Sequence, residues 1–124
     1  MNLLAVGIGG AAGASIRYVL GEFLLSESGF PYITLLINWT GSLLFGYLFI
    51  KLQAVQKQWI KLGITTGFLG GFTTFSTFSV ESMQLLEQQL YGQAAIYISA
   101  SIIGSIFCCY LAYQFVQRGV KRQC

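Results

Sequence analysis

The sequence has 124 residues, enough for one domain, and 55% of them are apolar while only 9% are charged. Because soluble domains carry about 25% charged residues, this composition predicts an integral membrane protein with a single domain, residues 1–124. The sequence has no histidine and no Gly-rich loop followed by lysine, which excludes imidazole catalysis and nucleotide hydrolysis, so no enzyme is expected.

Four segments are long and apolar enough to cross a bilayer as helices, since a hydrocarbon core of ~30 Å takes about 20 residues. They are residues 3–25, 33–52, 59–86 and 94–116. The first begins without a basic region, so it is expected to be an anchor and not a cleaved signal. Its Gly9-x-x-x-Gly13 pattern predicts close contact with another helix.

Each of the first two spans carries one polar side chain with two possible roles. Arg17 lies inside the first span, where an ionisable group is costly. In one role, its side chain extends to the membrane–water interface or to an ion-pair partner. In the other role, it places a positive charge in a water-filled vestibule, where it attracts anions. Asn38 is the lone amide of the second span. It either bonds to a neighbouring helix or donates to a passing anion.

The third span is longer than one membrane thickness, about 42 Å as a continuous helix. Its middle, residues 67–79, contains three glycines and five hydroxyl residues, which are poor helix formers. This composition predicts a helix broken at its middle, over residues 70–73. Carbonyl oxygens freed there would suit a hard cation such as Na⁺. A plain kink or a close helix crossing is the alternative.

Phenylalanines recur every third residue after the glycines, at Phe72, Phe75 and Phe78. These three side chains share one helix face. They either pack against neighbouring helices or direct the positive edges of their rings toward an anion. The hydroxyls between them either bond back to their own helix or form a track of donors. Glu81 follows as the interfacial end of the span or as a polar group in a vestibule.

Basic residues predict the orientation in the membrane. Six lie near the chain ends and the loop between the second and third spans, and none lies on the opposite side. They are Lys51, Lys57, Lys61, Arg118, Lys121 and Arg122. The positive-inside rule therefore predicts both termini in the cytoplasm.

The three cysteines, Cys108, Cys109 and Cys124, are assigned no role beyond packing.

Three stretches resemble the signature sequences of the Fluc (CrcB) fluoride channel family. They are GGAAGASIRY at residues 9–18, TLLINWTGS at residues 34–42 and GFLGGFTTFSTF at residues 67–78. The length and the four-span layout also match over the whole chain. The resemblance implies an all-α membrane protein of four transmembrane helices, the third broken, that forms an antiparallel dimer with two fluoride pores.

The resemblance also implies a function and a bound cation. Toxic cytoplasmic fluoride would leave a bacterial cell passively through the plasma membrane. One structural Na⁺, held and not conducted, would lie at the dimer interface on the backbone carbonyls of Gly70 and Thr73 from each subunit. The resemblance assigns nine residues to the fluoride path, namely Arg17, Asn38, Phe75, Ser76, Thr77, Phe78, Glu81, Tyr97 and Ser101.

The strong charge bias departs from what a homodimer of dual topology requires. It predicts insertion mainly with the termini inside and pairing with an inverted paralogue, with a homodimer as the alternative. Two other functions are compatible with a small four-span chain. A proton-coupled exporter of organic cations would need a carboxylate deep in the first span, where Arg17 has the wrong sign. A non-transporting assembly subunit would not need the hydroxyl and phenylalanine run.

Overall fold

The computed structural model describes residues 1–23 and 29–121, and this part of the chain is helical without strands. The elements are α1 (Asn2–Phe23), α2 (Tyr32–Lys51), a 3-10 turn (Leu52–Ala54), α3 (Gln58–Leu62), a π-helical segment (Gly63–Leu69), α4 (Gly70–Phe72), α5 (Phe75–Glu87) and α6 (Tyr91–Lys121). The predicted end of the first span at residue 25, and also Arg122 and Cys124, lie outside the described residues.

Three helices are long and apolar enough to cross a membrane: Asn2–Phe23, Tyr32–Ala54 and Tyr91–Gly119. They overlap the first, second and fourth predicted spans. Large apolar side chains project outward along them, for example Ile8 at 66% exposure and Phe115 at 79%. An apolar outer surface is what a lipid environment requires, and the chain is accordingly a membrane protein.

The first helix lies directly against the backbone of the π-helical segment. A Cβ atom added at Gly9 would overlap the carbonyl of Gly63, and one added at Gly13 would overlap the carbonyl of Phe68. The absence of side chains at these two positions lets the backbones touch, as small residues do in membrane bundles. The close contact predicted from the Gly9-x-x-x-Gly13 pattern is thus confirmed.

The interruption expected over residues 70–73 begins later than predicted. Gly70 has helical dihedral angles, φ −65° and ψ −33°, and α4 continues to Phe72. The backbone becomes extended at Thr73 (ψ 155°) and Thr74 (ψ 117°). Gly71 has a different use, since a Cβ there would overlap the carbonyl of Gly10. The prediction that the paired glycines form the break was therefore wrong, because Gly71 serves helix packing.

The last helix runs parallel to α2 along one side of the molecule. The Trp39 indole Nε1 donates to the Ala100 carbonyl at 3.0 Å, and further along the pair Gly46 lies against the Cys109 backbone. Near the start of both helices, a small core of Leu35, Leu85, Ala94 and Tyr97 joins α2, α5 and α6. This packing places one face of α5 beside the cleft between α2 and α6.

Candidate functional site

Asn38 holds the extended backbone at Thr74 through two hydrogen bonds. Its Oδ1 accepts from the Thr74 N–H at 2.8 Å, and its Nδ2 donates to the Thr74 carbonyl at 3.0 Å. The interhelical role foreseen for this amide is therefore present. A primary amide has two N–H donors, and this contact uses one of them.

Thr74 caps the N-terminus of α5. Its Oγ1 accepts from the Thr77 N–H at 3.1 Å, donates to the Thr77 Oγ1 at 2.8 Å and lies 3.3 Å from the Ser76 Oγ. Such a cap satisfies one of the free N–H groups of the first turn. The structure thus gathers Ser76 and Thr77 around the start of α5.

A cavity of about 290 Å³ lies between α2, α5 and α6, next to the extended residues. It is lined by Asn38, Ser42, Thr73, Thr74, Phe75, Phe78, Ser101, Ile102 and Ser105. Four residues assigned to the fluoride path come together here: Asn38, Phe75, Phe78 and Ser101. The two phenylalanine rings are tilted, with centroids 5.6 Å apart, and Phe75 is 80% exposed.

Ser101 brings an unpaired hydroxyl to this cavity. The residue is only 7% exposed, and its Oγ has no hydrogen-bond partner in the described part of the chain. A buried polar group without a partner costs free energy. Ser101 therefore contributes an unsatisfied donor to the cavity wall.

Glu81 accepts hydrogen bonds on both of its carboxylate oxygens. Thr34 Oγ1 donates to Oε1 at 2.8 Å, and the Tyr97 hydroxyl donates to Oε2 at 2.6 Å. Tyr97 is fully buried, and its ring lies 5.5 Å from that of Phe78 and 5.8 Å from that of Phe30. Glu81 also borders a separate cavity of about 260 Å³. It is thus an inward-facing group linked to the phenylalanines through Tyr97.

Thr34 is the functional candidate that sequence reasoning missed. A signal was available, since Thr34 lies four residues before Asn38 in the second span and so shares its helix face. Ser42 lies on the same face and lines the cavity. Polar side chains at this spacing in an apolar helix indicate one polar stripe.

Arg17 lies outside the cavity wall. Its Nε donates to the carbonyl of Gly71 at 3.2 Å, which places the guanidinium group beside α4. The structure therefore does not bring Arg17 together with Phe75 and Phe78. Its contact is with the backbone immediately before the interruption.

The carbonyls of Gly70 and Thr73 have lost their usual helical donors. A continuous helix would direct the Thr74 N–H to Gly70 and the Thr77 N–H to Thr73, but these groups bond to Asn38 Oδ1 and Thr74 Oγ1. Both residues line a third cavity, of about 250 Å³, together with Cys109. Free carbonyl oxygens fit the donor set that Na⁺ takes in discontinuous membrane helices.

The chain matches known proteins over nearly its full length. A family model described as "CrcB-like protein, Camphor Resistance (CrcB)" covers residues 4–113. The chain is 44% identical over 121 residues to the "Fluoride-specific ion channel FluC 2" of Geobacillus kaustophilus, covering 94% of each chain.

Two further relatives show similar coverage. The "Fluoride-specific ion channel FluC" of Bordetella petrii is 46% identical over 108 residues, covering 86% of this chain and 84% of the relative. The "Fluoride-specific ion channel FluC 2" of Halalkalibacterium halodurans is 38% identical over 123 residues, covering 98% and 90%. With this coverage by the family model and by the relatives, the chain belongs to the CrcB family.

Proposed function

We propose that the chain is a fluoride-selective channel through which toxic cytoplasmic fluoride leaves the cell passively. Its relatives are named fluoride-specific ion channels, and as a member of their family the chain is not an enzyme. The observation that carries the proposal is the cavity in which Asn38, Phe75, Phe78 and the unpaired Ser101 hydroxyl meet.

The chemistry of this cavity suits a small anion in transit. Phenylalanine ring edges carry partial positive charge, and amide and hydroxyl groups donate hydrogen bonds. None of these groups is a fixed cation. Conduction requires binding that is favourable enough for entry and weak enough for exit, and neutral donors meet both requirements.

The remaining crossing of the membrane, third in chain order, is made by residues 58–87, which run through α3, the π-helical segment, α4 and α5. The extended backbone at Thr73 and Thr74 then lies at membrane depth. Irregular backbone is tolerated there only where it faces protein or a polar cavity. The bonds from Asn38 to Thr74 and the adjoining cavity support this arrangement.

An antiparallel dimer with a structural Na⁺ completes the proposed assembly. The carbonyls of Gly70 and Thr73 from each subunit would hold the ion, which stays in place and offsets their partial negative charge. Gly70 is exposed, and a Cβ there would meet nothing within 4 Å. This open position leaves room for a second subunit to approach. The fluoride pores remain separate from the cation site.

A flux measurement with reconstituted protein tests the function. Liposomes containing the purified chain, or the chain with its inverted paralogue, are loaded with fluoride or chloride, and anion efflux is followed. We expect fluoride to leave and chloride to be retained. Transport of a quaternary ammonium ion driven by a pH gradient would instead support the cation exporter, and no transport would support the assembly subunit.

Substitution of the cavity phenylalanines tests the role of the ring edges. Phe75→Ile and Phe78→Ile keep apolar bulk but remove the aromatic edge. Each should lower fluoride flux by about tenfold or more if a ring-edge contact to the ion is comparable with a hydrogen bond to a charged group, about 1.5–3 kcal/mol. Phe115→Ile is the matched control, because Phe115 is 79% exposed and lies far along α6. Normal flux in both cavity variants would exclude the ring-edge mechanism.

A further inference from the structure

Arg17 stands at the end of the contact between α1 and α4. Gly10, Ala14 and Arg17 follow one another at helical spacing on one face of α1. At Gly71 the two backbones are so close that a Cβ would overlap the Gly10 carbonyl and lie 3.1 Å from the Ala14 N atom. Arg17 is the next side chain along this face, where α4 ends.

The carbonyl that Arg17 binds is one that the interruption leaves without a donor. In a continuous helix the Phe75 N–H would donate to the Gly71 carbonyl. The extended Thr73 and Thr74 separate these two groups. The Arg17 Nε–H donates to the Gly71 carbonyl instead, at a distance of 3.2 Å. A charged donor makes a stronger bond to a carbonyl than a neutral one.

Two side chains from different helices therefore hold the two sides of the interruption. Arg17 of α1 binds the carbonyl of Gly71 on the side of α4. Asn38 of α2 binds both backbone groups of Thr74 on the side of α5. The residue that follows Thr74 is Phe75, which lines the cavity.

We propose that Arg17 is a positioning residue whose Nε–H fixes the end of α4 and thereby the start of α5, so that Phe75 and Phe78 stand at the cavity. The proposal rests on the proposed function for its effect on fluoride flux. It differs from a vestibule charge that gathers anions, since a positioning role requires a hydrogen-bond donor at the place of Nε, whereas a vestibule role requires only the charge.

Three substitutions of Arg17 distinguish the effect of the Nε–H donor from the effect of the positive charge. Arg17→Gln removes the charge but keeps a nitrogen donor bonded to Cδ, where Nε stands in arginine. Arg17→Met has similar length and helix propensity but no donor. Arg17→Lys keeps the charge and moves the nitrogen one atom farther out. Each variant is purified and reconstituted with the same lipids as the unchanged chain.

Fluoride flux and hydrogen–deuterium exchange are the two measurements. We expect Arg17→Gln to conduct about tenfold better than Arg17→Met, because a hydrogen bond to the half-buried Gly71 carbonyl is retained. Exchange of the peptide over residues 72–78, measured in detergent, should stay slow in the Gln variant and become faster in the Met variant. The ratio of Gln to Met flux should not change with salt, since screening acts on charges.

The outcomes that overturn the proposal are equally distinct. If the Gln variant is as impaired as the Met variant in both measurements while the Lys variant conducts normally, Arg17 acts through its charge. Equal exchange in all three variants would also reject a positioning role. If the unchanged chain conducts no fluoride, the proposed channel function fails, yet the exchange comparison still decides whether the Nε–H holds the interruption.

Discussion

Four hydroxyl side chains in the described part of the chain bond back to their own helix, and Ser101 does not. Thr65, Thr73, Ser79 and Ser82 each donate to the carbonyl four residues earlier, at distances of 2.7–2.9 Å. This back-bonding is the usual state of serine and threonine in a helix. Ser101 is buried like Ser82, but its Oγ has no hydrogen-bond partner in the described part of the chain.

Replacing Ser101 by alanine should separate function from stability. Removing an unpaired buried hydroxyl is nearly neutral for folding, so the thermal midpoint in detergent should stay within a few degrees. Fluoride flux should fall by about tenfold, because a hydrogen bond to an ion contributes about 1.5–3 kcal/mol. Flux assays and thermal unfolding are compared on the same preparation.

Ser82→Ala is the matched control for this substitution. Ser82 is 8% exposed, like Ser101, but its hydroxyl already donates to the Phe78 carbonyl at 2.7 Å. The Ser82→Ala variant should lose about 1 kcal/mol of stability and keep the fluoride flux of the unchanged chain. If both serine variants conduct equally well, the Ser101 hydroxyl does not contact the ion.

At the scale of elements, the packing of α1 determines where the irregular segment can lie. Gly9 and Gly13 bring α1 against the backbone of residues 63–68, and Gly71 extends the contact to α4. Because no side chain separates the backbones, any added atom must push the helices apart. The position of α4 against α1 therefore depends on three residues that lack a Cβ.

Alanine at these positions should destabilise the fold in proportion to the overlap. We expect Gly9→Ala and Gly13→Ala to cost about 1–3 kcal/mol each, as overpacking of a tight interior does. The measurement is thermal unfolding in detergent, followed by flux. Gly7→Ala serves as the control, since a Cβ at Gly7 meets nothing within 4 Å. An equal loss of stability in all three variants would show that the change in backbone flexibility, and not the contact between helices, causes the destabilisation.

At the scale of the whole molecule, the parallel packing of helices gathers Lys51, Lys57, Lys61 and Arg118 at one end. α1 runs parallel to the segment that contains Gly63 and Gly71, and α2 runs parallel to α6. The chain start, the loop around Lys57 and the end of α6 at Arg118 therefore lie together. This arrangement agrees with the grouping of positive charge on which the orientation prediction rests.

Labelling with a membrane-impermeant thiol reagent checks that orientation. Single cysteines are placed at Gln56 and Gln89, both exposed and at opposite ends of the bundle, in a chain whose own cysteines are replaced by alanine. In intact cells the cysteine at residue 89 should react and the one at residue 56 should react only after lysis, because cytoplasmic loops carry the lysines. Equal labelling of both in intact cells would mean dual topology and favour a homodimer.

The sequence by itself determined the membrane class and the helical architecture, because composition and apolar length report the solvent around a chain directly. The family was indicated by the resemblance of its three motifs. The sequence also indicated the helix contact at Gly9 and Gly13, whose pattern is local. Only the tertiary structure decided that the interruption falls at Thr73 and Thr74, that Asn38 and Arg17 hold its two sides, and that Ser101 is unpaired. Spacing along one helix cannot reveal which distant backbone group a side chain meets. In lipid, where every backbone polar group needs a partner within the protein, those distant partners fix the site.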